Sequence, residues 1–373
     1  MKRLYIIAGE RSGDLHGSNL TKALLARDKS LSIRGFGGDE MKKAGVDVHI
    51  HYEQLAFMGF VELITKLFTI FKFIRLCKND IEQFNPDAII LIDYGGFNRR
   101  IAKFGKQKGI KVFYYIPPKV WAWYQKRAFE LKQNVDRLFV ILPFEKKFYK
   151  SKCNWDVDYV GNPVLDAIKS FNADPDFLIK NGIDRTRKIV ALLPGSRKME
   201  LKLMAPLMAA VVKRNPNYQF VVAAVNNLDK ELYGELKNIP QVKFVTEASY
   251  DLLSVADAAI VTSGTATLET GIFKVPQVVV YKMGSLEYSV VSRLVKVNFI
   301  SLVNLIADKE VIKELIQDKA EPEAINQELI ALLNNENHRN QMLSDYDSVY
   351  KILDTGSASD NTARLMLETL NKV

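Results

Sequence analysis

Carboxylates, a histidine and glycines gather behind the first apolar run of the chain, in Ala8-Gly9-Glu10-Arg11-Ser12-Gly13-Asp14-Leu15-His16-Gly17. Glu10, Asp14 and His16 are three ionisable groups at one turn. Ser12 and Gly13 fall at a helix start, where glycine lets a ligand approach the backbone and free N–H groups attract anions. The spacing is not Gly-x-Gly-x-x-Gly, so a dinucleotide fits poorly. The plain alternative is a capped helix, with Ser12 or Asp14 as the cap. Another acid, Asp93, ends the run Leu91-Ile92 and precedes Tyr94-Gly95-Gly96-Phe97-Asn98. A carboxylate at a strand end can accept a proton from a bound hydroxyl. As a simple turn residue it would bond its own backbone instead.

Two later stretches suit phosphate. Leu193-Pro194-Gly195-Ser196-Arg197 joins a glycine turn, a hydroxyl and an arginine, whose guanidinium can fork across two oxygens of a diphosphate. The bland reading of Arg197 is a surface ion pair. Thr262-Ser263-Gly264-Thr265-Ala266-Thr267-Leu268-Glu269 is the sharpest local signal. Ser263, Gly264, Thr265 and Thr267 offer backbone and hydroxyl donors at a helix start without steric conflict. Glu269, one turn further on, can accept from ribose hydroxyls or close a capping box.

Apolar and charged surfaces come next. Tyr115–Trp123 carries Trp121 and Trp123, which can line a sugar or an acyl chain or simply pack. Phe57–Ile74 is rich in Phe, Leu and Ile, yet carries Glu62, Lys66 and Lys72. The charges exclude a spanning segment and fit an interfacial helix with lysines toward anionic headgroups. A core helix or a dimer face is the other reading. The chain carries a net +9, but residues 99–152 alone hold 15 Lys/Arg against 3 Asp/Glu. That basic stretch suggests an anionic partner, or a solvated helix face. His49 and His51 share one face of a strand without enough further ligands for a metal. Cys77 and Cys153 sit beside no histidine and in no glycine turn, so neither reads as a nucleophile. Two cysteines exclude a disulfide framework and point to a reducing compartment. Met1–Ile7 runs straight into a strand pattern, with no secretory signal.

These residues need elements to hold them. The 373 residues, 48% hydrophobic and 25% charged, suit two globular domains. Apolar runs at Leu4–Gly9, Ala88–Asp93, Val112–Ile116, Leu138–Pro143 and Tyr159–Gly161 alternate with helical patterns, and Ile189–Leu193, Phe220–Val225, Val242–Val245, Ala258–Thr262 and Val278–Tyr281 repeat the scheme. Continuously apolar strands are buried on both faces, as in parallel sheets. The expectation is α/β: two Rossmann-like doubly wound domains facing a cleft, spanning 1–170 and 171–340. Helices at 341–373 are free to pack back on the first domain. In such sheets ligands sit beyond the carboxyl ends of the strands, where the motifs stand.

The order and spacing of nine blocks resemble the lipid-A-disaccharide synthases, inverting glycosyltransferases of the GT-B type. The blocks are Ala8–Gly17, Met58–Glu62, Ile92–Asn98, Val120–Trp123, Leu142–Glu145, Val160–Pro163, Leu193–Arg197, Ser263–Glu269 and Asn304–Ala307. The resemblance implies transfer of 2,3-diacylglucosamine from its UDP derivative to 2,3-diacylglucosamine 1-phosphate, giving the β(1→6) disaccharide 1-phosphate and UDP. It implies no cofactor, no metal and no nucleic acid. It also implies a cytoplasmic protein, peripheral on the inner membrane of a Gram-negative cell. Arg197 with Gly195, Ser196 and the Ser263–Thr265 turn would hold the leaving diphosphate, with Thr267 beside them. Glu269 would hold ribose and Asn304 would lie near the nucleotide. Ser12, Gly13, Asp14 and His16 would lie near the transferred sugar or acceptor. Met58, Phe60, Phe68, Phe71, Asn98 and Trp121 would serve the lipid substrates.

The chain departs from the family where the base is concerned. Gly95-Gly96 replaces a common Pro-Asp, and that Asp is a leading candidate for the family's base. Asp93 matches the motif's other acid, with Glu10, Asp14 and His16 as the nearby ionisable groups. Pro117 stands where serine is common and Asn162 where histidine is common. Two other functions fit some of the pattern: another UDP-sugar enzyme of this architecture (an N-acetylglucosaminyltransferase or a 2-epimerase), and a membrane-surface nucleotide binder without turnover.

Overall fold

The computed structural model describes residues 1–56, 63–226, 228–284, 288–289 and 297–372, with backbone alone at 55–56 and 63–69. The chain divides into two compact units, residues 1–163 with 354–373, and residues 164–353.

In the first unit, β1 (Arg3–Ala8), β2 (Ser32–Gly37), β3 (Asp47–His51), β4 (Ala88–Ile92), β5 (Lys111–Tyr115), β6 (Arg137–Val140) and β7 (Asp158–Tyr159) form one sheet. Its order is β3-β2-β1-β4-β5-β6-β7, and every pairing is parallel. The strand order reverses between β1 and β4, which makes their carboxyl ends the switch point of the sheet. β1 shows why the fold takes this sequence. Leu4, Ile6 and Ala8 face one core with Leu20, Leu24 and Met41, while Tyr5 and Ile7 face another with Phe73, Cys77 and Ile81. Both faces of a period-two strand are covered, so its apolar run is unbroken.

The helix Ala358–Asn371 packs in the Leu4 core through Ala363 and Met366. Cations near the starts of two strands cap its carboxyl end, where Lys2 Nζ donates to the Leu370 carbonyl at 2.8 Å and Lys111 Nζ to the Thr369 carbonyl at 3.0 Å, and Arg137 Nη1 reaches the Leu365 carbonyl further back at 2.8 Å. Positive charge there complements the helix dipole. The preceding helix, Glu336–Leu353, lies in the second unit. The chain leaves the first unit at Pro163 and returns at Asp354, and the last helix lays Ala363 and Met366 in the core of the first sheet.

The second unit repeats the design. β8 (Ile189–Leu193), β9 (Gln219–Ala224), β10 (Val242–Thr246), β11 (Ala258–Thr262), β12 (Gln277–Tyr281) and β13 (Lys313–Ile316) pair in parallel, in the order β10-β9-β8-β11-β12-β13. Its switch point lies at the ends of β8 and β11, where the Arg197 and Ser263 stretches begin.

Candidate active site

Three turns meet at the switch point of the first unit. Gly9 lies under the ring of Tyr94, so closely that a Cβ there would stand 2.3 Å from it. Gly95 lies under Pro118, where a Cβ would meet the ring at 2.6 Å. A side chain at either place would have to displace the ring above it, and through these contacts the turns after β1, β4 and β5 form one surface. The backbone is strained there. Asp93 and Tyr94 take φ of 45° and 49°, and Ile116, a β-branched residue, takes 58°. Conformations of this kind cost about 1–3 kcal/mol each and persist when their surroundings enforce them. Here Asn98 enforces one. Its buried Nδ2 donates to the carbonyls of Ile92 at 3.1 Å and Asp93 at 2.9 Å, and the Tyr114 hydroxyl donates to the Asp93 carbonyl at 2.7 Å. Asn98 therefore holds the acid turn from within, in place of the substrate contact expected of it.

Asp93 is thus a carboxylate on a fixed turn. Burial raises its pKa, opposed by the Tyr94 N–H and the positive charge of Lys119. Burial drives the His16 pKa down to about 4, so its imidazole is neutral at pH 7. Asp14 is not available for chemistry. One oxygen accepts from the N–H groups of Gly38 at 2.7 Å and Met41 at 3.1 Å, the other from Glu40 at 3.0 Å. It caps the short helix Asp39–Lys43, and this corrects its assignment as a catalytic group. Neither it nor Ser12 caps the helix Arg11–Arg27, whose N-cap is Glu10 with no side-chain capping bond to the helix. Ser12 and Glu10 are exposed, and Gly13 packs against Ala8.

The aromatic expectations divide. Trp121 is buried edge-on against Phe144, 4.9 Å between centroids, so it is a packing residue and not a lipid contact. Trp123 and Tyr124 are exposed, with the Arg127 guanidinium over both rings. In the helix Leu63–Phe84, Phe73, Ile74, Cys77 and Ile81 are core, while Ile70 and Phe71 are exposed. Arg100 covers the Phe71 ring at 5.6 Å. From Ile70 onward the helix buries one face in the core and leaves an apolar outer edge. Met58 and Phe60 lie outside the described residues, as does the side chain of Phe68. No described helix is long and apolar enough to cross a membrane. No cluster of three metal-ligating side chains stands among the described residues.

In the second unit, two helix starts follow the switch-point strands. At Lys198–Arg214 the turn is wrapped round Glu200: its Oε2 accepts from the N–H groups of Ser196 at 2.9 Å and Arg197 at 3.2 Å. Arg197 is 82% exposed and its Nη1 donates to Glu200 Oε1 at 3.1 Å. At Thr265–Ile272 the N-cap is Gly264, with no side-chain cap. Gly264 and Thr265 are exposed, and nothing stands within 4 Å of the Gly264 Cβ position. This start is open to an anion. Ser263 Oγ donates to the Ile300 carbonyl at 3.0 Å. Glu269 makes no capping box. It accepts from the Tyr250 hydroxyl at 3.1 Å, and burial raises its pKa.

Two assignments in this unit are corrected. Thr267 is fully buried, its hydroxyl donating to the Gly264 carbonyl at 2.9 Å. Asn304 is fully buried and fully used. Its Oδ1 accepts from Val311 N–H at 2.8 Å and Ile312 N–H at 3.0 Å, and its Nδ2 donates to the Ile312 carbonyl and Glu314 Oε1, both at 2.9 Å. It pins the strand before Glu314 and has nothing left for a nucleotide.

Sequence reasoning missed four side chains. Lys119, exposed beside Asp93, was one charge among fifteen. Tyr250 lies 19 residues before the Glu269 it bonds. Glu145 is buried beneath the 116–121 turn, bonded by the Leu142 N–H at 3.0 Å, and its pKa is pushed up to about 7 by that burial. Glu200 had a signal, since it stands three residues after Arg197 as in a capping box.

Comparison with known proteins agrees with this geometry. A family model described as lipid-A-disaccharide synthetase matches residues 4–366. The lipid-A-disaccharide synthase of Syntrophus aciditrophicus is 37% identical over 378 residues, covering 100% of this chain and 98% of the relative. That of Coxiella burnetii is 35% identical, covering 98% of each. Among solved structures, the Staphylococcus aureus MnaA–UDP complex gives a TM-score of 0.72 at 13% identity, covering 100% of this chain and 98% of that one. The UDP-GlcNAc 2-epimerase of Neisseria meningitidis bound to UDP-GlcNAc gives 0.66 at 13% identity, with full coverage of both. At such identities the structures speak to the fold alone, and the fold is GT-B with two Rossmann-like units. The family model and the relatives, each covering nearly the whole chain, together with motifs at both switch points, show that the chain belongs to the lipid-A-disaccharide synthases, glycosyltransferases of lipid A biosynthesis.

Proposed function

We propose that the chain transfers 2,3-diacylglucosamine from its UDP derivative to the 6-hydroxyl of 2,3-diacylglucosamine 1-phosphate with inversion. Asp93 takes the hydroxyl proton as that oxygen attacks the anomeric carbon. The bond from the anomeric carbon to the diphosphate breaks, and its electron pair leaves on UDP. Arg197 and the open helix start at Ser263–Thr265 stabilise the charge that develops there. Glu269, oriented by Tyr250, accepts from ribose. The neutral His16 takes no share of charge and contacts sugar. The observation that carries the reading is the uncapped, exposed start of Thr265–Ile272 at the end of β11.

The base assignment is supported by the Asp93 turn. Gly96 has no side chain and Asp14 is consumed by three N–H groups. Asp93 stands on the strained turn behind β4 with its pKa raised by burial. The acyl chains and the cytoplasmic face of an anionic inner membrane are met by the exposed edge of Ile70, Phe71, Trp123, Tyr124 and Phe129, interleaved with Arg100 and Arg127. Aromatic rings with arginines over them suit an interface that is apolar below and anionic above.

Incubation with both lipid precursors tests the proposal. UDP release that depends on the acceptor is expected. UDP binding without release would leave a nucleotide binder, and release without acceptor would favour an epimerase-like or hydrolytic enzyme. Arg197→Ala should cut turnover by about 100-fold, the scale of one lost charge-assisted donor at a transition state; rates near wild type would remove Arg197 from the leaving-group site.

A further inference from the structure

The Arg197 turn is folded round a carboxylate of its own chain. Glu200 Oε2 holds the N–H groups of Ser196 and Arg197, and Oε1 holds the Arg197 guanidinium at 3.1 Å. Gly195 makes the fit possible. Its φ is +108°, and a Cβ there would stand 2.5 Å from Glu200 Oε2 and 2.7 Å from Glu200 Cβ. The Glu200 side chain is 17% exposed while Arg197 projects into solvent. An ordinary capping box accounts for the bonds to Oε2. It does not account for the guanidinium on Oε1, or for a glycine whose missing Cβ is the space the carboxylate fills.

We propose that Glu200 is a positioning residue for the leaving diphosphate: it fills the two backbone donors of its turn and fixes the Arg197 guanidinium, so that the diphosphate is taken by the arginine and not by the turn's amides. This rests on the reading of Arg197 given above. An anion seated on those amides would face the charge of Glu200 at contact distance, which is repulsive. An anion on the outer edge of the guanidinium avoids it, since a guanidinium has five N–H donors in a planar fork. The two helix starts of this unit then divide the work. The one at Thr265 offers bare amides, and the one at Lys198 offers a side chain held by its own resident anion.

A double-mutant cycle in UDP affinity tests this, by calorimetry on the full chain. Glu200→Ala should weaken UDP binding about tenfold in the wild-type background and less than about twofold in an Arg197→Ala background, because its effect runs through the arginine. Glu200→Gln keeps one acceptor oxygen and should fall between. Asp229→Ala removes another cap in the same unit, a bond from the Glu231 N–H at 2.9 Å. It should lower the unfolding temperature and leave UDP affinity unchanged. Equal weakening by Glu200→Ala in both backgrounds would overturn the proposal, leaving Glu200 as a structural cap. Tighter binding would overturn it too, since the freed amides would then be the phosphate site. Loss of affinity in Asp229→Ala would show that cap loss alone suffices. An unchanged affinity in Arg197→Ala would sink the reading of Arg197 itself, separately from the behaviour of Glu200.

Discussion

Asp93 and His16 are moved by burial in opposite chemical senses, and each leaves a measurable mark. The raised pKa of Asp93 means that its carboxyl stays protonated to a higher pH than an ordinary carboxylate, and as the proposed base it is inactive there. The acid limb of kcat/KM should therefore lie above the usual carboxylate range. Lys119→Gln should shift it further upward, because the lysine's charge opposes the rise. Asp93→Asn should remove the limb and cut turnover by about 100-fold or more while UDP affinity stays similar. An unaltered pH–rate profile in Asp93→Asn would end its candidacy. His16 is a stability effect. Its folded pKa, about 4, lies below the ordinary 6.5, so the unfolded chain binds a proton that the folded chain refuses. Stability is unaffected above pH 6.5 and falls as pH drops from 6.5 toward 4, by about 3 kcal/mol in all. His16→Gln should flatten that part of the denaturation-versus-pH curve. A variant as acid-sensitive as wild type would show that the imidazole is solvated.

At the scale of elements, the working groups are placed by others that do no chemistry. Asp14 ties the first helix to the turn after β2 through three backbone donors, and Asn98 ties its helix to the end of β4. Asp14→Ala would leave buried N–H groups unpaired, at about 1–3 kcal/mol for a group of this kind. It should lower stability with little change in the pH dependence of the residual activity, whereas a catalytic acid would alter that dependence. Glu145 shows the converse. Burial holds its pKa near 7 against an ordinary 4.5, so the folded state keeps a proton that the unfolded state loses. Its contribution therefore worsens as pH rises from 4.5 to 7 and stays constant above. Glu145→Gln should gain stability relative to wild type at pH 8 compared with pH 5, read by urea denaturation at the two pH values.

For the whole molecule, the basic stretch 99–152 and the arginine-covered aromatics belong to the first unit, and the open helix start to the second. Phe71 lies exposed under Arg100, and Trp123 and Tyr124 lie exposed under Arg127. Replacing Phe71 and Trp123 by Ser together should reduce sedimentation with anionic vesicles several-fold. High salt should weaken what remains, since screening acts on the arginines. Sedimentation equal to wild type would confine that edge to protein contacts.

How much of this was legible in the chain follows from the range of the forces involved. Strand runs, the glycine turns behind them and the position of Asp93, Arg197 and Ser263–Glu269 are local. Periodicity, glycine and order along the chain determined them, and the same order carried the family. Which polar residues are spent on the fold could not be read that way. Asp14, Thr267 and Asn304 stand in the same motifs as the groups that remain available. They differ only in backbone partners up to 27 residues off, such as Met41 for Asp14. Trp121 and Trp123 are two residues apart and lie on opposite sides of the surface. The last helix returns to the first unit because its apolar face fits there. A hydrogen bond is settled by who is within about 3 Å, and a pKa by how much water is left. Both are properties of packing, and only the tertiary structure decides them.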